Sequence, residues 1–305
     1  MSWWLKILSY FSIATKHEDL SYLKPKYNEI LRRLHTTHLE RGWVVSRNTS
    51  GGYEHEGDSL LWTGIVVGCG GNAVGGVCLD TLRDCVLANR GALYRFEPSL
   101  LSESYLNREI SFDGFAGVLF GLALRLKLYP QDAEKIRFVW KTYRDYCEGH
   151  GGVLHPNTGV FVPVFFEYAV ALMDFKMGMG QMPRPSAKRI HEAACSAWVS
   201  LTNLSRKSAY RVHLAFLMLI VCDILGDPVS RHGWEAFKMA SAGMDIPMLD
   251  WWLGRRTAAS WLDTFEYNQW EYRHQRGGYE EPDGDGLETH GVDFLVMYIL
   301  ATELR

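Results

Sequence analysis

Three aspartates stand in glycine-containing stretches that lead straight into apolar runs. They are Gly57-Asp58-Ser59-Leu60, Phe112-Asp113-Gly114-Phe115 and Gly284-Asp285-Gly286-Leu287. Carboxyl groups gathered at one opening can divide acid and base work, one holding a proton while the other stays ionised. An Asp at a helix entrance is equally suited to capping backbone N–H groups at the positive helix end. Position alone supports both roles.

The neighbours of two of these aspartates repeat. Gly51-Gly52-Tyr53-Glu54 recurs as Gly277-Gly278-Tyr279-Glu280, and each copy lies just before its aspartate. Glu54 and Glu56 flank the first site; Glu280, Glu281 and Asp283 flank the last. So many carboxylates repel one another unless protons, a cation or basic groups intervene, and Arg255, Arg256, Arg273 and Arg276 are close enough in sequence to supply the basic groups. Tyr53, Tyr279 and Trp62 offer ring faces for an apolar ligand surface, although core packing also suits Trp62. His290 is a candidate proton carrier or ligand contact. Asp283, Asp285 and Glu288 partly resemble a calcium loop, but the third acidic ligand and the distal bidentate Glu are missing. A turn and cap fits that run better, and no metal or other cofactor is expected.

The elements that must position these groups are helices. Apolar residues recur with a 3.6-residue period over 24–41, 59–69, 78–89, 112–128, 132–148, 162–176, 186–203, 210–225, 233–242, 250–264 and 291–304. Strand-like alternation is rare, and 153–164 is its best short candidate. Gly68–Gly76 reads as the tight turn of a helical hairpin. Segments 112–128 and 210–225 are apolar on every side, whereas 24–41 and 132–148 carry a charged face. Inner and outer helices therefore alternate. Inner segments near 60, 113, 165, 213, 253 and 292 recur roughly every 40 to 50 residues, the spacing of stacked helical hairpins. The first and last repeats are the most similar pair, which suits a closed ring in which they are neighbours. The expected fold is all-α, an (α/α)6 toroid of alternating inner and outer helices. Residues 21–305 form its single domain, after an N-terminal apolar helix at 1–20.

Glu56-Gly57-Asp58-Ser59-Leu60-Leu61-Trp62-Thr63-Gly64 and Ser111-Phe112-Asp113-Gly114-Phe115-Ala116-Gly117 resemble motifs of the six-hairpin glycosidase-like superfamily. They are also similar to stretches in uncharacterised toroid proteins of phages and bacteria. The second motif departs at Phe112, where an Arg is frequent. The resemblance implies glycoside hydrolase-like cleavage of a polysaccharide, with Asp58 and Asp285 as the acid/base pair and Asp113 supporting or replacing one of them. Tyr53, Glu54, Glu56, Trp62, Tyr279, Glu280 and His290 would contact the glycan. The alternative is a non-catalytic toroid, a structural or glycan-binding module that includes the case of a phage virion component. A polysaccharide lyase is a third option.

Composition narrows the classes. The 305 residues carry a net charge of −3 and are 47% hydrophobic, which excludes intrinsic disorder and argues against a nucleic-acid partner. The six cysteines lack C-x-x-C spacing and read as buried free thiols. The first 14 residues are apolar but too short for a transmembrane segment and lack a cleavage signal. Folding in the cytoplasm is expected, with later association with a virion open, and the N-terminal helix is a candidate protein-docking element.

Overall fold

The computed structural model describes residues 18–47, 53–54, 58–96, 110–155, 160–203, 209–242, 247–263 and 291–304. The architecture is all-α, with twelve α-helices among the described residues. They are α1 (Lys24–Thr37), α2 (Ser59–Cys69), α3 (Gly71–Ala88), α4 (Phe112–Leu128), α5 (Ala133–Gly149) and α6 (Val164–Lys176), then α7 (Pro185–Asn203), α8 (Ala209–Ile224), α9 (Arg231–Ala240), α10 (Pro247–Trp252), α11 (Ala258–Leu262) and α12 (Val292–Ile299). A π-helical stretch, Leu300–Leu304, extends α12. Three antiparallel two-stranded ribbons accompany them: β1 (Leu39–Glu40) with β2 (Trp43–Val44), β3 (Ser46–Arg47) with β4 (Tyr53–Glu54), and β5 (Val153–His155) with β6 (Val160–Phe161).

Apolar content decides who sits inside. Every residue of α2 is buried, as are Asp113–Arg125 of α4, Val212–Cys222 of α8 and all of α12. The amphipathic α1, α3, α5, α7 and α9 lie outside them, each with a charged face in solvent. α6 departs from the expected inner type, because Val164, Glu167 and Phe175 are exposed. Its neighbour α8 packs directly against α4.

The closest contact in the interior is between α2 and α4. A Cβ on Gly117 would lie 2.4 Å from the Leu61 carbonyl oxygen, and one on Gly121 only 1.6 Å from that of Gly64. Backbones meet there without intervening side chains. The register fixes direction as well: Leu60 faces Gly114, Gly64 faces Val118, and Gly68 faces Leu124. Residue numbers rise together along both helices, so α2 and α4 run parallel.

Segments from the two ends of the described chain are joined. The Glu18 carboxylate accepts hydrogen bonds from the backbone N–H groups of Ala258 and Ala259, at 2.8 and 3.0 Å. This satisfies two of the free donors at the start of α11. Tyr22 donates to Asp263, Lys26 donates to the Leu262 carbonyl, and Tyr27 stacks on Tyr298 with ring centroids 4.7 Å apart.

Several element boundaries differ from those the periodicity predicts. α1 stops at Thr37, and the β1–β2 ribbon follows through Arg41 and Gly42, both at positive φ. α3 starts at Gly71, seven residues earlier than expected, so only Gly70 interrupts the path from α2. The expected helix at 250–264 is two short helices. Gly254, at φ +71°, takes the left-handed conformation that ends α10. The N-terminal apolar segment lies outside the described residues as far as residue 17.

Candidate functional site

Parallel packing puts the N-terminal ends of α2 and α4 side by side, and these ends carry Asp58 and Asp113. Asp58 occupies the N-cap position of α2, yet its side chain makes no capping hydrogen bond to that helix. In α4 the cap is Ser111, whose Oγ accepts from the Gly114 N–H at 3.2 Å. Asp113 is therefore the second residue of the helix, and its side chain is 6% exposed. Neither carboxylate is the side-chain cap of its own helix. A half-buried and a buried carboxyl share one end of a helix pair whose spacing the glycines hold.

The surroundings of that end are built from segments outside the helices. The Leu60 N–H donates to the Arg95 carbonyl at 2.7 Å, so residues 92–96 run across the start of α2. The Val44 N–H donates to Thr63 Oγ1 at 2.9 Å, and Trp43 meets Phe96 edge-on at 6.1 Å. These contacts fix the β1–β2 ribbon against the first turns of α2, ahead of β4 with Tyr53 and Glu54.

A row of rings ties the starts of α4, α6 and α8 together. Phe112 meets Phe166 at 6.3 Å, Phe166 meets Phe165 at 4.7 Å, and Phe165 stacks on Trp198 at 4.8 Å. The Arg211 guanidinium then lies 4.6 Å from the Trp198 ring centroid. Arg211 is near the first residue of α8, so that helix also begins at the end where α4 and α6 begin.

Trp62, a predicted ring for ligand stacking, is 1% exposed and enclosed by the core, so it offers no face to a ligand in this structure. Arg255 and Arg256 are engaged at Asp250, at 2.8 and 3.4 Å, and are drawn away from the role of neutralising an acidic mouth. Asp285, Glu56, Tyr279, Glu280 and His290 lie outside the described residues, as do Asp283, Glu288, Arg273 and Arg276. Among the described residues no three His, Cys, Asp or Glu side chains gather as a metal site, and no helix is long and apolar enough to cross a membrane.

Sequence reasoning did not single out Arg95, Arg211, His213 or Asp293. His213 and Asp293 are buried early in α8 and α12. Burial above all, then Cys78 and the charge of Asp293, raise the Cys69 thiol above its ordinary value.

A second polar cluster lies elsewhere, between α6, α7, α8 and α9. Tyr168 donates to the Asp227 carboxylate, and Lys188 Nζ donates to the same group at 2.7 Å. Burial pushes Asp227 up, but the Lys188 and Tyr168 hydrogen bonds outweigh it and hold the carboxyl below its ordinary value. The buried Glu192 accepts from Ser230 N–H and Oγ at 2.6 and 2.5 Å, and the Ser230 Oγ caps α9. A surface groove of about 520 Å³ borders this cluster. Its described carboxylates have structural uses: Glu192 ties the start of α9 to α7, Asp227 ties the turn after α8 to α6 and α7, and Asp223 accepts the Val229 N–H within that turn.

No protein-family model, curated protein or solved structure matches the chain.

Proposed function

We propose that the chain is an (α/α)6 toroid with a carbohydrate-active mouth at the shared start of α2 and α4. The carrying observation is that the register of two parallel helices puts Asp58 and Asp113 at the same end, with neither carboxyl acting as side-chain cap of its own helix. The parallel interior helices and the junction of Glu18 with α11 support a closed ring. Glycoside hydrolysis needs a proton donor for the leaving oxygen and a carboxylate on the other side of the bond. In this reading the water-excluded Asp113 supplies the proton and the half-buried Asp58 meets water or the sugar ring. The sequence repeat supplies the other groups of this reading, Asp285 as a third carboxylate and Tyr53 and Tyr279 as sugar-stacking rings. The reaction gains its rate from placing acid and base on opposite sides of one bond.

The test is release of reducing ends from a panel of polysaccharides by wild type, Asp58→Asn, Asp113→Asn and Asp285→Asn. Cleavage by wild type that at least two of the variants lose supports the assignment. Equal activity in all four proteins defeats it. The direct packing of α8 on α4 favours a second reading, a filled toroid that binds glycan without cleaving it; retention on a glycan matrix with no product would select that one.

A further inference from the structure

We propose that this mouth takes an anionic glycan, whose carboxylate or sulfate groups are held by Arg95 and Arg211; the inference rests on the glycan reading above and adds the charge of the substrate. Withdrawing a guanidinium from water is costly unless an anion accompanies it. The chain follows that rule elsewhere: Arg83, Arg125, Arg144 and Arg256, all wholly or partly withdrawn from solvent, each meet an aspartate. Arg95 and Arg211 are also half-buried, and neither meets a carboxylate among the described residues.

Both stand at the mouth end. The Arg95 carbonyl takes the Leu60 N–H at the start of α2, and its Nε is buried without a hydrogen-bond partner among the described residues. Arg211 is at the start of α8 with its guanidinium carbon 4.6 Å from the Trp198 ring centroid, and the ring row leads from it to Phe112 beside Asp113. A guanidinium held over a ring still presents its planar fork of donors, suited to two parallel hydrogen bonds to a carboxylate or sulfate. The carboxylates of Asp58 and Asp113 would repel an acidic polymer, so cations set apart from them, along the path of the chain, are what such a ligand requires. Aromatic faces between the charges suit the apolar faces of sugar rings.

Affinity electrophoresis of the full chain tests this, in gels containing polygalacturonate, dextran sulfate or uncharged amylopectin. Retardation is expected in at least one anionic gel, about tenfold weaker for Arg95→Gln and for Arg211→Gln at unchanged melting temperature. The exposed Arg189→Gln should match wild type. Preference for polygalacturonate identifies a carboxylate as the anion, and preference for dextran sulfate identifies a sulfate. Equal retardation in amylopectin overturns the proposal while leaving the catalytic reading intact. A fall in melting temperature of both variants with unchanged retardation would reassign the guanidiniums to internal ion pairs and also overturn it. Asp58→Asn and Asp113→Asn each remove a repelling charge and should be retarded at least as strongly as wild type; if they also cleave as wild type does, the catalytic assignment fails and the anion preference stands.

Discussion

Gly121 faces Gly64 so closely that a Cβ on Gly121 would stand 1.6 Å from the Gly64 carbonyl oxygen. This contact holds α2 and α4 in parallel register and so brings Asp58 and Asp113 to one end. Gly121→Ala must push the two backbones apart, and overpacking of this kind costs about 1–3 kcal/mol or more. Gly149, at the end of α5, has nothing within 4 Å of an added Cβ. Urea unfolding should show a large loss for Gly121→Ala and a change within about 0.5 kcal/mol for Gly149→Ala. Similar midpoints for the two variants would contradict the close register.

The far end of the same helix pair depends on Arg125. Its side chain is 1% exposed, pairs with Asp132 at 2.6 Å, and donates to the Val67 and Gly71 carbonyls at 3.2 and 2.8 Å. It thereby ties the end of α2 and the start of α3 to α4. Removing one partner of a buried pair costs about 3–5 kcal/mol. Arg125→Met should lose stability of that order in chemical denaturation. Asp132→Asn should lose less, because Asp132 is 19% exposed and keeps some access to water.

Much of this arrangement is legible in the sequence. α2, α4 and α8 are read from apolar runs with no charged face, because a helix apolar all round has to be enclosed by others. The four-residue spacings Gly64 to Gly68 and Gly117 to Gly121 put glycines on one face of each helix, but that these faces meet is shown only by the structure. The cysteines are read correctly too, and all six are buried free thiols. The break at Gly254 is not legible, because an isolated glycine within a periodic run fits a helix interior as well as an end. Nor are Arg95 and Arg211: the proposal for them turns on their meeting no carboxylate among the described residues, which is a tertiary property. The roles of Asp58 and Asp113 fall between. Sequence puts both at helix starts, but only the geometry identifies Ser111 as the cap of α4 and finds Asp58 making no side-chain cap for α2.

The capping distinction has its own test. Ser111 and Ser230 accept from Gly114 and Gly233 N–H groups, so replacing either by Ala should cost about 1 kcal/mol. Asp58→Ala removes no such bond from α2 and should shift the thermal midpoint less than Ser111→Ala does. The reverse order would return Asp58 to a capping role.

Acid should destabilise the α6–α9 region through His191. Burial brings this imidazole down to about 4 from an ordinary 6.5, and the charge of Lys188 acts the same way. The ring faces Cys222 Sγ at 3.6 Å, Cys195 Sγ at 4.0 Å and the Tyr168 ring. Between pH 6.5 and 4 the unfolded chain binds a proton here that the folded chain refuses, so stability falls as pH falls through that window and levels off below it. At about 1.4 kcal/mol per unit the loss is on the order of 3 kcal/mol. Urea midpoints between pH 7 and 4 should show this slope, and His191→Gln should flatten it.

Burial holds the thiols of Cys69, Cys78, Cys147, Cys195 and Cys222 above their ordinary range, Cys78 at about 12. A thiol-specific reagent at pH 8 should therefore find almost no reactive group in the folded protein and six in denaturant. Rapid labelling of the native chain would place at least one thiol at the surface.

The most direct measurement compares glycan cleavage and thermal stability in the same Asp113→Asn and Asp58→Asn proteins. If the two carboxylates are an acid and a base at a shared mouth, each variant should lose about 100-fold or more in the rate of reducing-end release, with a melting temperature close to that of wild type. Undiminished cleavage in both variants, or a loss that only follows a fall in melting temperature, would contradict the account.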